Sequence, residues 1–186
     1  MNPILKTALA LREIGFAIHW LIPKEKSPID AAWTTAPVAT IAQLESSFRD
    51  GYNVGFRPGK WSVVDNHEII VLDIDIRGGK SFAEEAYAVA ATVLGGQYDP
   101  QVKSGSGVGR HQYLRTAKGT SPDKSATTLR QSDIWIREGQ VCSPGTKGAK
   151  PAYVIEVLST GKNVVLPPSI HPDTNKPYEW LKGVSL

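Results

Sequence analysis

The sequence predicts an α+β domain with a largely antiparallel sheet, and three observations support this fold class. The predicted elements run helix, helix, strands, one further helix and then mostly strands, which is the order typical of α+β domains. The strongest strand pattern, His67 to Ile76, lies in the middle of the chain. At 186 residues, 41% of them hydrophobic, the chain is also long enough to enclose a sizeable core.

Two helices and a short strand are predicted in the first fifty residues. Apolar residues at helical spacing indicate an amphipathic helix from about Leu5 that closes near Gly15, followed by the extended piece AIHWLIP. Residues 24–40 are predicted to form a loop. A second helix is predicted over 40–50, with Thr40 as its N-cap and Gly51 as its stop.

The remaining elements are mostly strands. Strands are predicted at 52–56 and 67–76, with RPGKW as a turn between them. A helix capped by Ser81 then runs to the glycine pair at 95–96. An extended segment from Val102 passes through a glycine-rich stretch into HQYLRT and is followed by weakly patterned polar chain. Later strands are predicted in IWIRE, AYVIEVL and NVVLPPS, and PYEWL forms a last short element.

Charge and cysteine content narrow the class of protein. The formal net charge is only +3, from 21 basic and 18 acidic residues, which is too mild by itself to indicate a nucleic-acid partner. Residues 101–150, however, contain nine basic and three acidic residues. The single cysteine, Cys142, excludes an internal disulfide and a cysteine-based zinc cluster. The N-terminal segment has the pattern of neither a signal peptide nor a membrane span, so a cytoplasmic protein is expected.

The central strand, EIIVLDIDIRGG, contains the first candidate site. Period-two alternation puts Asp73 and Asp75 on one face of the strand. Two neighbouring carboxylates repel each other and resist burial unless a cation lies between them, and hard divalent ions such as Mg²⁺ prefer such ligands. Because the strand is otherwise apolar, a metal site is favoured over a solvated strand whose acids only maintain solubility.

The glycine-rich stretch SGSGVGRHQYL is the second candidate site. Glycines allow backbone amides to approach an anion, and Lys103, Arg110 and His111 are then placed to contact phosphate oxygens, with Ser104 and Ser106 as hydroxyl donors. The stretch is not a Walker loop, since no Gly-Lys-Ser/Thr follows, and it precedes a strand where a dinucleotide fingerprint precedes a helix. A flexible turn between two strands is an equally good interpretation of these residues.

A third acid lies in the segment YVIEVLSTGKNVVLPPSIHP. Glu156 stands among β-branched residues, where it is either an edge-strand charge or a third carboxylate ligand. Asp133, in SDIWIRE, is a competing acid in a similar setting, and the residues alone do not decide between the two. Ser169 and His171 follow in a proline-stiffened loop near Glu156.

Together these three segments resemble the prim-pol family, the bifunctional primase-polymerase branch of the archaeo-eukaryotic primase superfamily. The resemblance covers most of the chain and extends to KEKSPIDAAW, YNVGFRPG and the continuation PPSIHP to YEW. It favours Glu156 over Asp133 as the third acid. The chain departs from the pattern at two positions, where Gly109 replaces a serine common in the wider superfamily and Glu156 replaces a frequent aspartate.

The resemblance implies a single catalytic domain over 1–186, in which residues 1–66 pack on a sheet portion, 67–186, related to the RNA-recognition sheet. It implies a template-directed DNA primase and polymerase that uses two Mg²⁺ or Mn²⁺ ions, NTPs or dNTPs, and a single-stranded DNA template with a primer. A helicase domain or a replication protein is a further partner that the resemblance implies. The implied catalytic residues are Asp73, Asp75, Glu156 and His111, the first three as metal ligands. The implied nucleotide-binding residues are Lys103, Ser104, Ser106, Gly107, Gly109, Arg110, His111 and Lys162.

Two other functions remain open from the sequence. One is a catalytically inactive module that binds single-stranded nucleic acid during replication. The other is a metal-dependent nuclease with His111 and His171 as ligands, although such enzymes normally pair their histidines in one short run. For the polymerase, the template is expected along the basic segment from Lys118 to Lys150, with contacts mainly to its phosphates.

Overall fold

The computed structural model describes residues 1–123 and 126–182. Helices in these ranges are α1 (Pro3–Glu13), α2 (Ile41–Ser47) and α3 (Ala83–Val93), the last preceded by a 3₁₀ turn at Lys80–Phe82. Strands are β1 (Ala17–Leu21), β2 (Asn53–Arg57), β3 (Gly59–Val64), β4 (His67–Ile76), β5 (Val102–Lys103), β6 (Arg110–Ala117), β7 (Ala126–Gln131), β8 (Trp135–Arg137), β9 (Gln140–Cys142), β10 (Lys150–Pro151), β11 (Tyr153–Leu158), β12 (Val164–Val165) and β13 (Glu179–Trp180).

The strands form one large sheet and two small ones. The large sheet has the order β13-β5-β6-β4-β11-β7, and β3 also pairs with β4. The small sheets have the orders β1-β2-β12 and β10-β8-β9. Every strand pair in the described residues is antiparallel, which confirms the predicted fold class.

Strand β4 is the centre of the large sheet, and its two faces meet different layers. It spans the predicted bounds and pairs with β6 on one side and with β3 and β11 on the other. Its even-numbered residues Leu72, Ile74 and Ile76 pack against small alanines of α3. On the odd-numbered face, Ile69 and Val71 belong to a second hydrophobic cluster, built with the N-terminal elements.

The N-terminal helices and the β1-β2-β12 sheet cover part of the odd-numbered face. Phe16 and Phe56 lie with their ring centroids 4.9 Å apart, and both rings meet Tyr113 of β6, at 6.1 and 5.7 Å. Edge-to-face contacts of this kind add to the free energy gained by burying aromatic surface. The N-terminal helices and the β1-β2-β12 sheet therefore bury one half of this face of the large sheet.

The two predicted helix caps have different outcomes. Thr40 caps α2 in a reciprocal capping box, as predicted, although the helix ends at Ser47 rather than at residue 50. Ser81 does not cap α3, because its hydroxyl donates to the Gly78 carbonyl and Phe82 occupies the N-cap position. The chain reaches α3 through the 3₁₀ turn instead.

Three segments differ from their predicted structure. RPGKW is not a simple turn, since β3 begins within it at Gly59 and forms a hairpin with β4. The glycine-rich stretch does not continue an extended segment; it turns the chain between the antiparallel strands β5 and β6. The polar chain after HQYLRT includes β7, which takes its place in the sheet by pairing with β11.

Candidate active site

Three functional side chains lie in one row across the centre of the large sheet. Asp73 of β4 stands opposite Glu156 of β11 on one side and His111 of β6 on the other. Residues that are directly opposite in an antiparallel ladder share a face, with Cβ atoms about 4.5–5.5 Å apart. Asp75 lies two residues further along the same face of β4, so the strand register brings three acids and one histidine together.

The competing acid Asp133 is placed elsewhere. It lies in a bend before β8, outside the β4–β11 ladder. Its charge acts on Tyr153, whose side chain belongs to the cluster under α3 on the opposite face of the sheet. The structure therefore places Glu156, and not Asp133, beside Asp73.

The electrostatics of the row indicate a site in which negative charge exceeds positive charge. Burial and the neighbouring carboxylates of Asp75 and Glu156 together raise the pKa of Asp73 to about 7, against the opposing effect of Lys26. A cation placed among these acids would stabilise the ionised form of the Asp73 carboxyl group. The donor set consists of carboxylate oxygens, which are the ligands preferred by Mg²⁺ and Mn²⁺.

In the orientation described, the carboxylates have separate protein partners. Asp75 pairs with Arg77 at 2.6 Å, and Glu156 accepts a hydrogen bond of 3.1 Å from the Thr128 hydroxyl. Among residues 1–123 and 126–182, no group of three or more His, Cys, Asp or Glu side chains stands ready to hold an ion. The Asp75 side chain is 50% exposed and so has room to rotate toward Asp73.

His111 completes the row as a neutral imidazole. Its Nε2 lies 3.4 Å from Asp73 Oδ1, and the residue is only 8% exposed. Burial lowers the pKa of His111 to about 3, and the charge of Lys26 acts in the same direction. The Nδ1 atom is buried and has no hydrogen-bond partner among the described residues. A ligand at the acids would meet the Nε2 edge of the ring.

Contacts within the protein account for the glycines of the turn between β5 and β6. A Cβ atom on Gly105 would overlap the Lys176 carbonyl oxygen and lie 2.5 Å from the His171 Cβ, so the 171–176 segment packs directly on the turn. Gly107 has φ +88°, a conformation that favours glycine. Close packing at Gly105 and the backbone conformation at Gly107 therefore explain why glycine stands at both positions, without a bound phosphate.

The serines of the turn, Ser104 and Ser106, hydrogen-bond within it. The Ser104 hydroxyl accepts from the Ser106 amide and donates to the Ser106 hydroxyl, which in turn accepts from the Gly109 amide. The amides of Ser104 and Gly107 donate to carbonyls inside the same turn. Four of the turn's amides are therefore occupied without a ligand.

Arg110 and Lys103 are not brought to the acids. Arg110 precedes His111 on β6 and so faces the opposite side of the sheet, where its guanidinium group lies 5.1 Å from the Tyr87 ring of α3. Lys103 stands opposite Arg110 and pairs with Glu179 at 2.8 Å. The predicted phosphate contacts of these two residues thus lack support from their positions. Lys162 lies in the turn between β11 and β12, where its amide donates to Ser159.

Two residues beside the row, Tyr178 and Lys26, carried no role in the sequence-based site. The ring of Tyr178 lies between the rings of His111 and His171, at 5.9 and 5.7 Å, and burial raises the pKa of its hydroxyl against the smaller opposing effect of Ser104. Lys26, from the loop after β1, acts electrostatically on Asp73 and on both histidines. Since Tyr178 separates the histidines, the paired-histidine arrangement expected for the nuclease hypothesis is not formed. Lys26 and Tyr178 lie in two segments of the family resemblance, KEKSPIDAAW and YEW, but these segments indicate no role for either residue, because both reach the site through tertiary folding.

Comparison with known families adds one strong match. The family model described as "Bifunctional DNA primase/polymerase, N-terminal" matches residues 8–186, which is almost the whole chain. No curated protein matches the chain. Among the described residues, no helix has the length and apolar character needed to cross a membrane.

Proposed function

Because the chain belongs to the bifunctional DNA primase/polymerase family, we propose that it transfers nucleotides from nucleoside triphosphates to the 3′-hydroxyl of a primer on single-stranded DNA. The observation that carries this proposal is the register of three strands, which sets Asp73 between Glu156 and His111 with Asp75 two residues away. Nucleotidyl transfer requires mainly positioning and charge stabilisation, and a row of acids beside a neutral histidine suits both.

The three acids and His111 have different proposed roles. Asp73, Asp75 and Glu156 would hold two Mg²⁺ or Mn²⁺ ions, and Asp75 would exchange its pairing with Arg77 for an ion. Bound divalent ions supply activation of the attacking hydroxyl and stabilisation of the charge on the leaving group. His111 would donate through its Nε2 edge to a phosphate oxygen, and its burial keeps the ring oriented toward Asp73.

The proposed template surface is the segment from Lys118 to Lys150. It includes β7, β8 and β9, and Arg130 and Arg137 are exposed on it; residues 124 and 125 lie outside the described residues. Exposed arginines on strands bind phosphates without reading bases. Binding to single-stranded DNA would then fall steeply as the salt concentration rises.

The decisive experiment is a template-directed primer extension assay with Asp73→Ala and Asp75→Ala. Each substitution is expected to lower kcat/KM by at least about 100-fold, the scale seen when one group that stabilises the transition state is removed. Glu84→Ala is the matched control, since this exposed acid lies on α3, which packs on the opposite face of the sheet, and it should extend primers like the wild type. Retained extension by Asp73→Ala contradicts the assignment of the acids.

The same variants test the alternative of a nucleic-acid-binding module without catalysis. If the wild-type protein binds single-stranded DNA but takes up no Mn²⁺ in calorimetric titration and extends no primer, the polymerase proposal fails and the binding module remains. Uptake of Mn²⁺ that is lost in Asp73→Ala supports the polymerase.

A further inference from the structure

The loop after β1 folds back into a tight tip that holds Lys26. The Ile22 amide donates to the Ser27 carbonyl at 2.9 Å, and Leu21 forms an isolated bridge with Pro28. The Glu25 amide donates to the Ile22 carbonyl at 3.0 Å. The chain therefore reverses within a few residues, and Lys26 lies in the closed part of the loop.

Two asparagines hold the backbone of this tip against the rest of the molecule. The Asn53 side-chain amide donates to the carbonyls of Glu25 and Ile170, at 2.9 and 2.8 Å, and Asn53 is 1% exposed. The Asn163 side-chain amide donates to the Lys26 carbonyl at 2.7 Å. A lysine on a fixed backbone loses less conformational freedom on binding than one on a mobile loop.

The same contacts connect the tip to the His111 end of the row. Ile170, which shares Asn53 with the tip, precedes His171, and the His171 ring packs on Tyr178, which packs on His111. The positive charge of Lys26 accordingly lowers the pKa of Asp73 and of His111. Lys26 is thus the cation, contributed by the N-terminal part of the chain, whose field reaches the centre of the row.

The ammonium group of Lys26 is nevertheless unpaired. Among the described residues, no carboxylate lies within ion-pairing distance of it, and the side chain is exposed. By contrast, Arg77 and Lys103 are both engaged with protein carboxylates. An unpaired cation on a fixed loop at the edge of an acidic site is suited to an anionic ligand that arrives with the divalent ions.

We propose that Lys26 binds the triphosphate of the incoming nucleotide, as a phosphate-contacting residue supplied by the N-terminal loop. The assignment rests on the proposed function, since it takes the acid row as the place where the reacting phosphates lie. It replaces the phosphate contacts expected from Arg110 and Lys103, which face away from the acids. A DNA backbone phosphate has the same chemistry, so the experiment separates the two sources.

The test is calorimetric titration of the wild-type, Lys26→Met, Lys26→Arg and Lys24→Met proteins with dATP and Mg²⁺ in the absence of DNA. Lys26→Met should weaken dATP binding by roughly 10- to 100-fold, the range for a lost hydrogen bond to a charged group. Lys26→Arg should retain most of the affinity because the charge remains. Lys24→Met is the matched control, because Lys24 occupies the same loop and no charge effect on the row comes from it.

A second titration with dAMP checks that the contact is to the terminal phosphates. Wild type and Lys26→Met should bind dAMP equally, whereas an equal loss for dAMP and dATP would indicate general damage to the site and overturn the assignment. The assignment also fails if Lys26→Met binds dATP as the wild type does, or if the wild type binds no dATP.

Fluorescence anisotropy with single-stranded DNA distinguishes the other phosphate source. Unchanged DNA binding by Lys26→Met supports the nucleotide, and weakened DNA binding with intact dATP binding overturns it in favour of the DNA backbone. If the wild type binds dATP through Lys26 and extends no primer, the proposed polymerase function fails while Lys26 keeps its role as a triphosphate contact.

Discussion

The two halves of one sheet face differ in what covers them. In the first half, Val71 of β4 and Tyr113 of β6 stand opposite each other beneath Phe16 and Phe56. In the second half, the next pair on the same face is Asp73 and His111. Two residues of a strand span only about 7 Å. Within that distance the face changes from a fully buried apolar core to a row of acids.

This difference shows how the fold makes a polar site from an ordinary strand. The backbone pairing is continuous from one half to the other, so β4 and β6 position the acids as rigidly as they position the core. What changes is the N-terminal cover, which fills the first half with aromatic rings. The site therefore gains fixed geometry from the core side without losing access for a ligand.

The largest effect expected from this difference is a change of the free energy of unfolding with pH, measured without metal ions. Since the folded pKa of Asp73 is about 7 and its ordinary value 3.8, the folded state binds this proton more tightly. The stability it contributes is complete below pH 4 and is lost as the pH rises to 7. Relative to the wild type, Asp73→Asn should gain roughly 3 to 4 kcal/mol in free energy of unfolding across this window.

His111 acts in the opposite direction, so the difference between variant and wild type is the quantity to measure. Its pKa is lowered to about 3 in the folded state, and the stability it contributes rises with pH up to its ordinary value of 6.5. Urea denaturation of both proteins at several pH values gives the difference directly. A difference that does not change between pH 4 and 7 contradicts the raised pKa of Asp73.

The next test compares neighbouring positions, Val71→Ala and Asp73→Ala. Val71 is fully buried, so its truncation should cost about 2 kcal/mol in free energy of unfolding, from lost burial and a small cavity. Primer extension per folded molecule should not change. Asp73→Ala should show the reverse pattern, with extension lost and stability at pH 8 retained or raised. Equal effects of both variants on extension would mean that the two halves are not functionally distinct.

The sequence predicts the central strand β4 and its two acids better than it predicts the residues that surround them. Period-two alternation gives β4 with its observed bounds, and with them the shared face of Asp73 and Asp75. The same alternation sets Arg110 on the opposite face from His111, so the strand period disagrees with a phosphate contact by both residues. The choice of Glu156 came from a resemblance, because the residues alone left Asp133 equally possible.

The elements that the sequence does not predict depend on tertiary partners. Strand β7 is polar and is held by its ladder with β11, and β3 begins inside a segment with strong turn residues. The tip with Lys26 approaches the acids only because Asn53 and Asn163, distant in sequence, hold it there. Local pattern carries no information about such contacts.

The smallest expected effect lies at the border between the two halves, where Tyr178 belongs to the apolar cluster and also contacts His111. The Tyr178 hydroxyl interacts with Ser104, and the Ser104 hydroxyl keeps its two hydrogen bonds with Ser106 when the Tyr178 hydroxyl is removed. Tyr178→Phe should therefore cost only about 1 kcal/mol in free energy of unfolding.

Tyr113→Phe is the matched control for that border residue, since the buried Tyr113 hydroxyl has no partner among the described residues. Removing an unsatisfied hydroxyl should leave stability unchanged or raise it. A modest rise in the KM for dATP is expected in Tyr178→Phe and not in Tyr113→Phe, because the Tyr178 hydroxyl interacts with Ser104 of the turn while its ring packs on His111. If both variants lose the same stability and neither changes KM, Tyr178 belongs to the apolar half and takes no part in orienting His111.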